Sequence, residues 1–242
     1  MCTLSFVARA EGFLLGMNRD EKLTRVQGLP PEIKLLAGRK VIRPTEPGGG
    51  TWIALNDGGV TFGLINWYSV ADSVGEHPFS RGMVINSVAM LVQPGLVGEI
   101  LVKLPLSKIN PFRLIGVFPT SGQVFEWQWN LKKLSTMAHP WKTAVWISSG
   151  FAEPLAQVSR GKTFKAAFDR NPRPDSEWLR RLHSAHDPMP GPFSICMHRP
   201  DAATVSYTEI EVSKGNGKML YHGDAPCSGI SGRAQGFALA PD

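Results

Sequence analysis

The stretch MCTLSFVARAEGFLLGMNRDE (residues 1–21) places a cysteine directly behind the initiator methionine and ends in the tetrad Asn-Arg-Asp-Glu. Residues 2–9 alternate in character, a Glu-Gly pair typical of a turn follows, and residues 13–19 have the pattern of a return strand. A hairpin closed at this turn brings Cys2 opposite the neighbourhood of residues 18–20. The sequence therefore predicts that the first cysteine and the charged tetrad meet across two paired strands.

The chemistry of Cys2 makes this meeting significant. If Met1 is removed after synthesis, Cys2 carries a thiol nucleophile and a free α-amine, whose pKa of about 8 suits proton transfer at neutral pH. A guanidinium lowers the pKa of a nearby thiol, so Arg19 is a candidate to activate Cys2. Asp20 is a candidate to accept hydrogen bonds from the amine and orient it. From the residues alone a second interpretation stays open, in which Cys2 is a small apolar residue at a strand start and the charges solvate a turn.

Length and composition indicate a globular protein with one substantial core. The chain has 242 residues, of which 43% are hydrophobic and 19% charged, and we expect a single domain over residues 1–242. No apolar run approaches the roughly 20 residues of a membrane span, and a signal-peptide pattern is missing, so we expect a soluble, cytoplasmic protein. The net charge is +6, but the basic residues are scattered, and we expect a small-molecule substrate or ligand rather than a nucleic acid.

The cysteines and histidines show no metal-binding pattern in the sequence. The three cysteines, Cys2, Cys196 and Cys227, include no C-x-x-C pair, which argues against a disulfide framework and against a thiolate metal cage. His183 and His186 have ligand-compatible spacing in a predicted helix, but no acidic partner pattern accompanies them. We therefore expect no metal site and no resident cofactor. The remaining histidines are His77, His139, His198 and His222.

The rest of the chain predicts an α+β fold. Residues rich in Pro and Gly at 29–50 are expected to form a surface loop. Two blocks of antiparallel hairpins separated by paired helices favour packed sheets with helices outside. Strands are predicted at 51–55, 60–67, 112–118, 124–130, 143–149, 193–198, 203–212 and 218–222. Helices are predicted at 80–92, 94–104, 153–168 and 175–186, with Ser80 and Asp175 as N-caps and Pro94 near a first position.

Motifs in a fixed order carry a resemblance to a known family. They are MCTL at residues 1–4, NRDE at 18–21, GGGTWIAL at 48–55 and GLINW at 63–67. Together they resemble the NRDE-motif family, that of the transport and Golgi organisation protein 2, in which a terminal Met-Cys, the tetrad and a Gly-Gly-Thr-Trp hairpin occur in this order. A softer likeness continues in SRG at 80–82, ISSGFAEP at 147–154 and TVSYTEIEV at 204–212.

The same opening is similar to choloylglycine hydrolases and penicillin V acylases, which are N-terminal-nucleophile hydrolases. The resemblance implies a four-layer αββα fold, with two packed antiparallel sheets between outer helices. It implies that Cys2 is the nucleophile, and it places Asn18 and Asp20 on an Arg-Asn-x-Asp segment of those hydrolases, with Met17 at the arginine position. Arg19 lies two residues further along the strand and is expected to point to the same face as Met17.

Further site residues follow from the resemblance. Asn66 in GLINW corresponds to an asparagine of the oxyanion hole, where its N–H groups would stabilise the tetrahedral oxygen. A second family asparagine falls on Ser149, and a late family arginine falls on Val205. Arg199, in the nearby HRPD stretch, is a candidate to replace that arginine spatially. Asn18, Ser149 and Arg199 are therefore expected to bind substrate.

The leading hypothesis for function is an N-terminal-nucleophile cysteine hydrolase or acyltransferase. It would act on a non-peptide C–N amide bond, with Cys2 as nucleophile, Arg19 and Asp20 activating it, and Asn66 holding the oxyanion.

The alternatives come from other classes. One is a non-catalytic ligand carrier on the same fold, for which the resemblance implies haem trafficking, with haem held as a ligand by Cys2, His198 or His222. The chain has no C-x-x-C-H haem attachment motif. A structural or scaffolding protein is the third possibility, in which the tryptophans of the W-Q-W segment at 127–129 are sheet and core residues.

Overall fold

Two antiparallel sheets form the centre of the protein. The computed structural model of the chain describes residues 2–75 and 78–240, except for the side chain of Arg233, so Met1 and His77 lie outside the described residues. In chain order the strands are β1 (Cys2–Ala8), β2 (Phe13–Lys22), β3 (Leu29–Leu36), β4 (Arg39–Thr45), β5 (Ile53–Asn56), β6 (Thr61–Asn66), β7 (Phe112–Phe118), β8 (Gln123–Trp129), β9 (Leu134–His139), β10 (Ala144–Ser148), β11 (Ala202–Ser213), β12 (Asn216–His222) and β13 (Arg233–Ala238). The first sheet has the spatial order β10-β1-β2-β11-β12-β13, and the second has the order β3-β4-β5-β6-β7-β8-β9.

Helices cover the outer face of each sheet. They are α1 (Gly82–Val88), α2 (Pro94–Leu101), α3 (Glu153–Arg170) and α4 (Ser176–His183). Helices α1 and α2 pack on the second sheet, where Ile85 and Val97 join the cluster that contains Phe62. Helices α3 and α4 pack on the first sheet, where Leu179 joins the cluster that contains Leu14. A third cluster, which includes Leu4 and Ile115, fills the space between the sheets. The predicted α+β class and the αββα layering are confirmed.

The opening hairpin forms as the alternation predicts. Strand β1 pairs antiparallel with β2, and both are buried on both faces over most of their length because sheet and helices cover them. Gly12 closes the turn at a φ of 87°, and an added Cβ there would lie 1.9 Å from the carbonyl oxygen of Val212. The turn therefore requires glycine both for its backbone conformation and for the close approach of β11.

The second predicted hairpin, β5–β6, is also confirmed. Its turn is held by Asn56, whose Oδ1 accepts hydrogen bonds from the backbone N–H groups of Gly58 and Val60. This side chain mimics a backbone turn, which is why an Asn-Asp-Gly-Gly segment joins two strands so tightly.

The predicted helices form, with shorter bounds for three of them. Asp175 caps α4 as predicted, since its Oδ1 accepts from the backbone N–H of Trp178 at 2.7 Å, and Pro94 is the first residue of α2. The prediction of Ser80 as a cap was wrong by one residue, because Arg81 is the N-cap of α1.

Some segments differ from the prediction. Residues 29–50 are not a loop throughout: β3 is the edge strand of the second sheet and pairs with β4, and Pro30 and Pro31 lie where the register of this pair shifts between Leu29 and Glu32. Residues 193–198 are not a strand, because the Ser194 hydroxyl donates to the Cys196 carbonyl and bends the chain locally. Strands β9 and β13 were not predicted, since exposed edge strands carry a weak apolar alternation.

Among the described residues, no helix is long and apolar enough to cross a membrane.

Candidate active site

Cys2 lies at the start of β1 between two paired strands. Its Cα pairs with that of Arg19 on β2 and with that of Ser148 on β10. Cys2, Leu4 and Phe6 belong to the cluster between the sheets, so alternate residues of β1 face the second sheet. Directly opposed residues of paired strands share a face, and Cys2 and Arg19 therefore point into the same space.

A cavity of about 290 Å³ opens beside Cys2. We call it the Cys2 cavity; it is lined by Cys2, Arg19, Glu21, Arg25, Glu46, Thr51, Trp52, Leu64, Asn66, Pro78, Phe79, Ser80, Arg81, Gly82 and Asn110. Cys2 is only 7% exposed, yet it forms part of the cavity wall. This combination is the one that a buried nucleophile needs in order to meet a small molecule and exclude bulk water.

The guanidinium of Arg19 is held firmly on one side of the cavity. It donates to the Glu46 carboxylate at 2.6 Å, lies 3.5 Å from Glu21, and stacks 4.4 Å from the ring centroid of Trp52. Arg25 shares the same two carboxylates from the solvent side. Arg19 thus points to the same face of the sheet as Cys2, as predicted. Its positive charge, however, is already balanced by the carboxylates of Glu21 and Glu46.

The thiol of Cys2 is not activated by its surroundings alone. Burial raises the pKa of the Cys2 thiol, the carboxylates of Asp20 and Glu21 act in the same direction, and the Arg19 guanidinium opposes them. The thiol is therefore protonated at neutral pH. A base close to Cys2 is needed before the sulfur can act as a nucleophile.

Asp20 points to the opposite face of the first sheet. Its carboxylate accepts from the Arg160 guanidinium at 3.1 Å and from the Thr204 hydroxyl at 2.7 Å, and all three side chains are buried. Arg160 reaches it from α3, and it also donates to the Thr3 hydroxyl at 2.9 Å. The tetrad of β2 is thus divided, with Arg19 in the cavity and Asp20 against the helices.

Asn18 lies on the same helix-facing side and is not part of the cavity. Its Nδ2 donates to the carbonyl oxygens of His183 and Ile195, and its Oδ1 lies 3.0 Å from His183 Nδ1. Burial lowers the pKa of His183 to about 3, so the imidazole is neutral. The structure thus shows Asn18 tying β2 to α4 and to the segment before β11.

Asn66, at the end of β6, lines the cavity together with Cys2. Its Nδ2 donates to the Tyr68 hydroxyl at 2.8 Å. Because a carboxamide nitrogen carries two hydrogens, one N–H of Asn66 is left to donate to another acceptor.

Ser149 and Arg199 do not line the cavity. The Ser149 hydroxyl donates to the Phe151 carbonyl at 2.8 Å, and Arg199 pairs with Asp201 at 2.8 Å and stacks on Phe151. Val205 lies where the β2–β11 register shifts between its two neighbours, which marks a bulge in the ladder.

Two residues that the sequence did not single out belong to the cavity region. Arg81 lines the cavity, donates to the Pro111 carbonyl at 3.1 Å, and makes no salt bridge with any carboxylate of the described chain. Burial lowers the pKa of its guanidinium. Ser148 lies opposite Cys2, and its hydroxyl is buried with no hydrogen-bond partner in the described part of the protein. In the sequence, Arg81 could have been found from the SRG motif at 80–82. Ser148 is identified only by the register in which β10 pairs with β1.

Away from this cavity the structure gathers metal-binding side chains that cysteine spacing did not reveal. One ligand atom from each of four residues lies within 4.8 Å of the others. The residues are His186, Cys196, His198 and Cys227. The sequence-based expectation that thiolates form no cage considered only close C-x-x-C spacing, whereas folding brings these four side chains together from distant segments.

A second cavity of about 470 Å³ adjoins the first sheet. It is lined by His198, by exposed Leu23 and Val26, and by the basic residues Lys22 and Arg25. Neither it nor the Cys2 cavity includes His222.

Comparison with known proteins agrees with this geometry. The family profile described as Transport and Golgi organisation 2 matches residues 1–209. The comparison with curated proteins yields no match.

Similar solved structures come from N-terminal-nucleophile hydrolases. Penicillin V acylase from Agrobacterium tumefaciens has 11% sequence identity, with 99% of this chain and 86% of that chain covered and a TM-score of 0.55. A variant of conjugated bile acid hydrolase from Clostridium perfringens has 10% identity, with 99% and 97% covered and a TM-score of 0.57. At this identity the likeness establishes the shared fold and nothing about the reaction.

Proposed function

This chain belongs to the Transport and Golgi organisation 2 family, and we propose that it is an N-terminal-nucleophile hydrolase or acyltransferase that acts on a non-peptide C–N amide bond. The observation that carries the proposal is the position of Cys2. It starts β1, lies directly opposite Arg19, and borders a cavity whose wall also contains Asn66.

Removal of Met1 would supply the base that the thiol requires. The freed α-amine of Cys2 would take the thiol proton, and the thiolate would attack the carbonyl carbon of the bound amide. The carbonyl oxygen would then carry the negative charge of a tetrahedral intermediate. Asn66 lines the cavity, and its spare N–H would donate to that oxygen.

The intermediate would collapse with cleavage of the C–N bond. The α-ammonium returns its proton to the leaving nitrogen, and the acyl group stays on Cys2 as a thioester. Water attacks the thioester in a hydrolase, with the α-amine again accepting a proton. A second amine attacks in an acyltransferase. Hydrolysis and acyl transfer use the same residues of this chain, so the cavity geometry supports both reactions equally.

Asp20 would act as a positioning residue for the amine. Its carboxylate is fixed by Arg160 and Thr204, and it follows Arg19, the residue directly opposite Cys2 on β2. A carboxylate near an α-amine favours the orientation in which a lone pair faces the thiol, and it stabilises the ammonium form that arises during attack.

Arg81 points to the chemical class of the substrate. Arg19 and Arg25 share the carboxylates of Glu21 and Glu46, whereas Arg81 makes no salt bridge with any described carboxylate. A half-buried guanidinium of this kind on a cavity wall is a ready partner for an anionic group. We therefore infer that the amide substrate carries a carboxylate or a similar anion.

An activated acyl ester, traced by peptide mass spectrometry, tests the proposal. The wild-type protein is expected to carry the acyl group on the peptide that contains Cys2, and Cys2→Ala is expected to carry none there. The peptides with Cys196 and Cys227 serve as internal controls for nonspecific acylation. Equal acylation of all three cysteines would contradict a dedicated nucleophile.

A ligand carrier is the second candidate, and the second cavity favours it. Its larger volume, the apolar Leu23 and Val26, and His198 suit a flat apolar ligand such as haem. A titration of the protein with haem, followed at the Soret band, decides between the candidates. A saturable shift at micromolar haem in a protein that fails to acylate at Cys2 would favour the carrier.

A further inference from the structure

The side chains of His186, Cys196, His198 and Cys227 converge on one point, and we propose that they bind a single zinc ion that fastens three segments of the chain together. This inference does not rest on the proposed hydrolase function, since none of the four residues lines the Cys2 cavity.

The distances match a tetrahedral site. His186 Nε2 lies 3.1 Å from His198 Nε2, and the sulfurs of Cys196 and Cys227 lie 3.6 and 3.4 Å from His198 Nε2. Zinc bonds of about 2.3 Å to sulfur and about 2.0–2.1 Å to nitrogen place tetrahedral ligands about 3.4 Å apart for two nitrogens and about 3.6 Å apart for nitrogen and sulfur. These three distances need shifts of only a few tenths of an ångström to hold the ion, and all four ligand atoms lie within 4.8 Å of one another.

The four ligands come from three segments of the chain, each of which adjoins a helix or a strand. His186 follows the end of α4, Cys196 and His198 lie in the segment that leads into β11, and Cys227 lies in the short 3-10 helix Pro226–Ser228 between β12 and β13. The backbone N–H of Cys196 donates to the Ala185 carbonyl at 3.0 Å. This hydrogen bond sets His186 and Cys196 side by side before any ion binds.

The donor set selects the ion. Two thiolates and two imidazoles form the Cys₂His₂ combination that is typical of structural zinc, and four protein ligands leave no open position for a substrate. Binding displaces the thiol protons of Cys196 and Cys227, so the two negative charges balance the ion. Cys196 is buried and Cys227 is exposed, which gives the ion access from solvent on one side.

The site is also connected to Asp20. Met197 lies between two of the ligands, its backbone N–H donates to the Thr204 hydroxyl at 2.8 Å, and that hydroxyl donates to Asp20. A bound ion would fix Met197, and through Thr204 it would hold Asp20 in place.

Metal analysis of the full-length protein, purified under reducing conditions, tests the proposal first. We expect one zinc per chain after purification, loss of the ion to a strong chelator, and recovery on addition of zinc alone. The unfolding midpoint of the stripped protein should rise by about 5–10 °C with zinc at about 100 times its dissociation constant.

Cobalt substitution identifies the ligands. The Co²⁺-loaded protein should show the visible bands of a tetrahedral ion and the near-ultraviolet charge transfer of a thiolate ligand. Cys227→Ser, at an exposed position, and His186→Gln should each lower zinc affinity at least about 100-fold. Two control variants, Cys2→Ser and His139→Gln, remove the same side-chain types elsewhere and should leave zinc affinity and the cobalt spectrum unchanged.

Several results would overturn the proposal. They are a folded wild-type protein that takes up no zinc or cobalt, a cobalt spectrum without thiolate charge transfer, and a folded Cys227→Ser protein that binds zinc as tightly as the wild type. A Cys196–Cys227 disulfide in metal-free protein kept under reducing conditions would overturn it as well.

Discussion

Asp20 and Arg160 form a fully buried ion pair of 3.1 Å on the helix-facing side of the first sheet, while Arg19, the neighbouring residue, faces the Cys2 cavity. One strand therefore serves two sites at once. Its odd-numbered arginine contributes to the wall of a reactive pocket, and its even-numbered aspartate anchors α3. The alternation of the strand thus puts Arg19 of the charged tetrad on the cavity side of the sheet and Asp20 on the helix-facing side.

The ion pair leads to a prediction about stability. Replacing Arg160 with methionine removes the guanidinium that lies 3.1 Å from the buried Asp20 carboxylate, so we expect the free energy of unfolding to fall by about 3–5 kcal/mol. Urea denaturation measures this change. Lys162→Met, at an exposed position of the same helix, is the control and should change stability by less than about 0.5 kcal/mol. Equal losses in the two variants would show that the ion pair contributes nothing specific.

His183 predicts how stability depends on pH. Burial lowers its pKa to about 3, against about 6.5 in the unfolded chain, so below pH 6.5 the unfolded state binds a proton that the folded state refuses. The contribution of neutral His183 to the free energy of unfolding is therefore complete above pH 6.5, and it is lost progressively as the pH falls toward 3. Between pH 6 and 4, the His183 imidazole should lower the free energy of unfolding by about 1.4 kcal/mol for each pH unit of acidification.

The variant His183→Gln isolates this contribution. Its absolute stability is expected to be lower, because hydrogen bonds of 3.0 Å to Asn18 and 3.1 Å to Ser5 are disturbed. Its unfolding free energy should nevertheless fall with acid less steeply than that of the wild type. Parallel curves for the two proteins would refute a neutral buried imidazole.

Asn66 is expected to matter for turnover more than for binding. If its spare N–H stabilises the oxyanion, Asn66→Ala should lower the rate of Cys2 acylation by about 100-fold to 1,000-fold. Stopped-flow or quenched-flow acylation with a saturating activated ester gives this rate. Asn216→Ala, at the exposed first residue of β12, is the matched control and should acylate at the wild-type rate. A normal rate in Asn66→Ala would remove this residue from the mechanism.

Arg81 is expected to set the preference for anionic substrates. A charged hydrogen bond is worth about 1.5–3 kcal/mol, so Arg81→Met should lower the acylation efficiency with a carboxylate-bearing ester about 10-fold to 100-fold. The same variant should react with an uncharged ester as the wild type does. Arg39→Met, which removes an arginine that pairs with Asp57, controls for general loss of positive charge. Equal effects on both esters would argue against anion recognition.

Much of the active-site strand geometry could be predicted from the sequence because it depends on local alternation. A turn at Gly12 and a period of two place Cys2 opposite Arg19, whatever the rest of the chain does. The same period sets the face of a neighbouring residue. Ser149 lies one residue beyond Ser148, and a shift of one residue reverses the face, so the serine opposite Cys2 is Ser148.

The remaining features depend on contacts that no local pattern encodes. The pairing of Asp20 with Arg160 joins residues 140 positions apart. The metal-binding cluster draws on three segments between His186 and Cys227, and its cysteines are too far apart in the chain to suggest a shared site. Strands β3 and β4 were not predicted because both contain proline, which stands in β3 at a register shift of the edge strand and in β4 beyond the residues that pair with β5.

Mass spectrometry of the amino-terminal peptide, after the protein has reacted with an activated acyl ester, tests most directly whether Cys2 is an amino-terminal nucleophile. We expect the peptide to begin at Cys2 and to carry one acyl group. A peptide that still begins with Met1, or one that begins at Cys2 but stays unmodified while the ester is consumed, would contradict the mechanism.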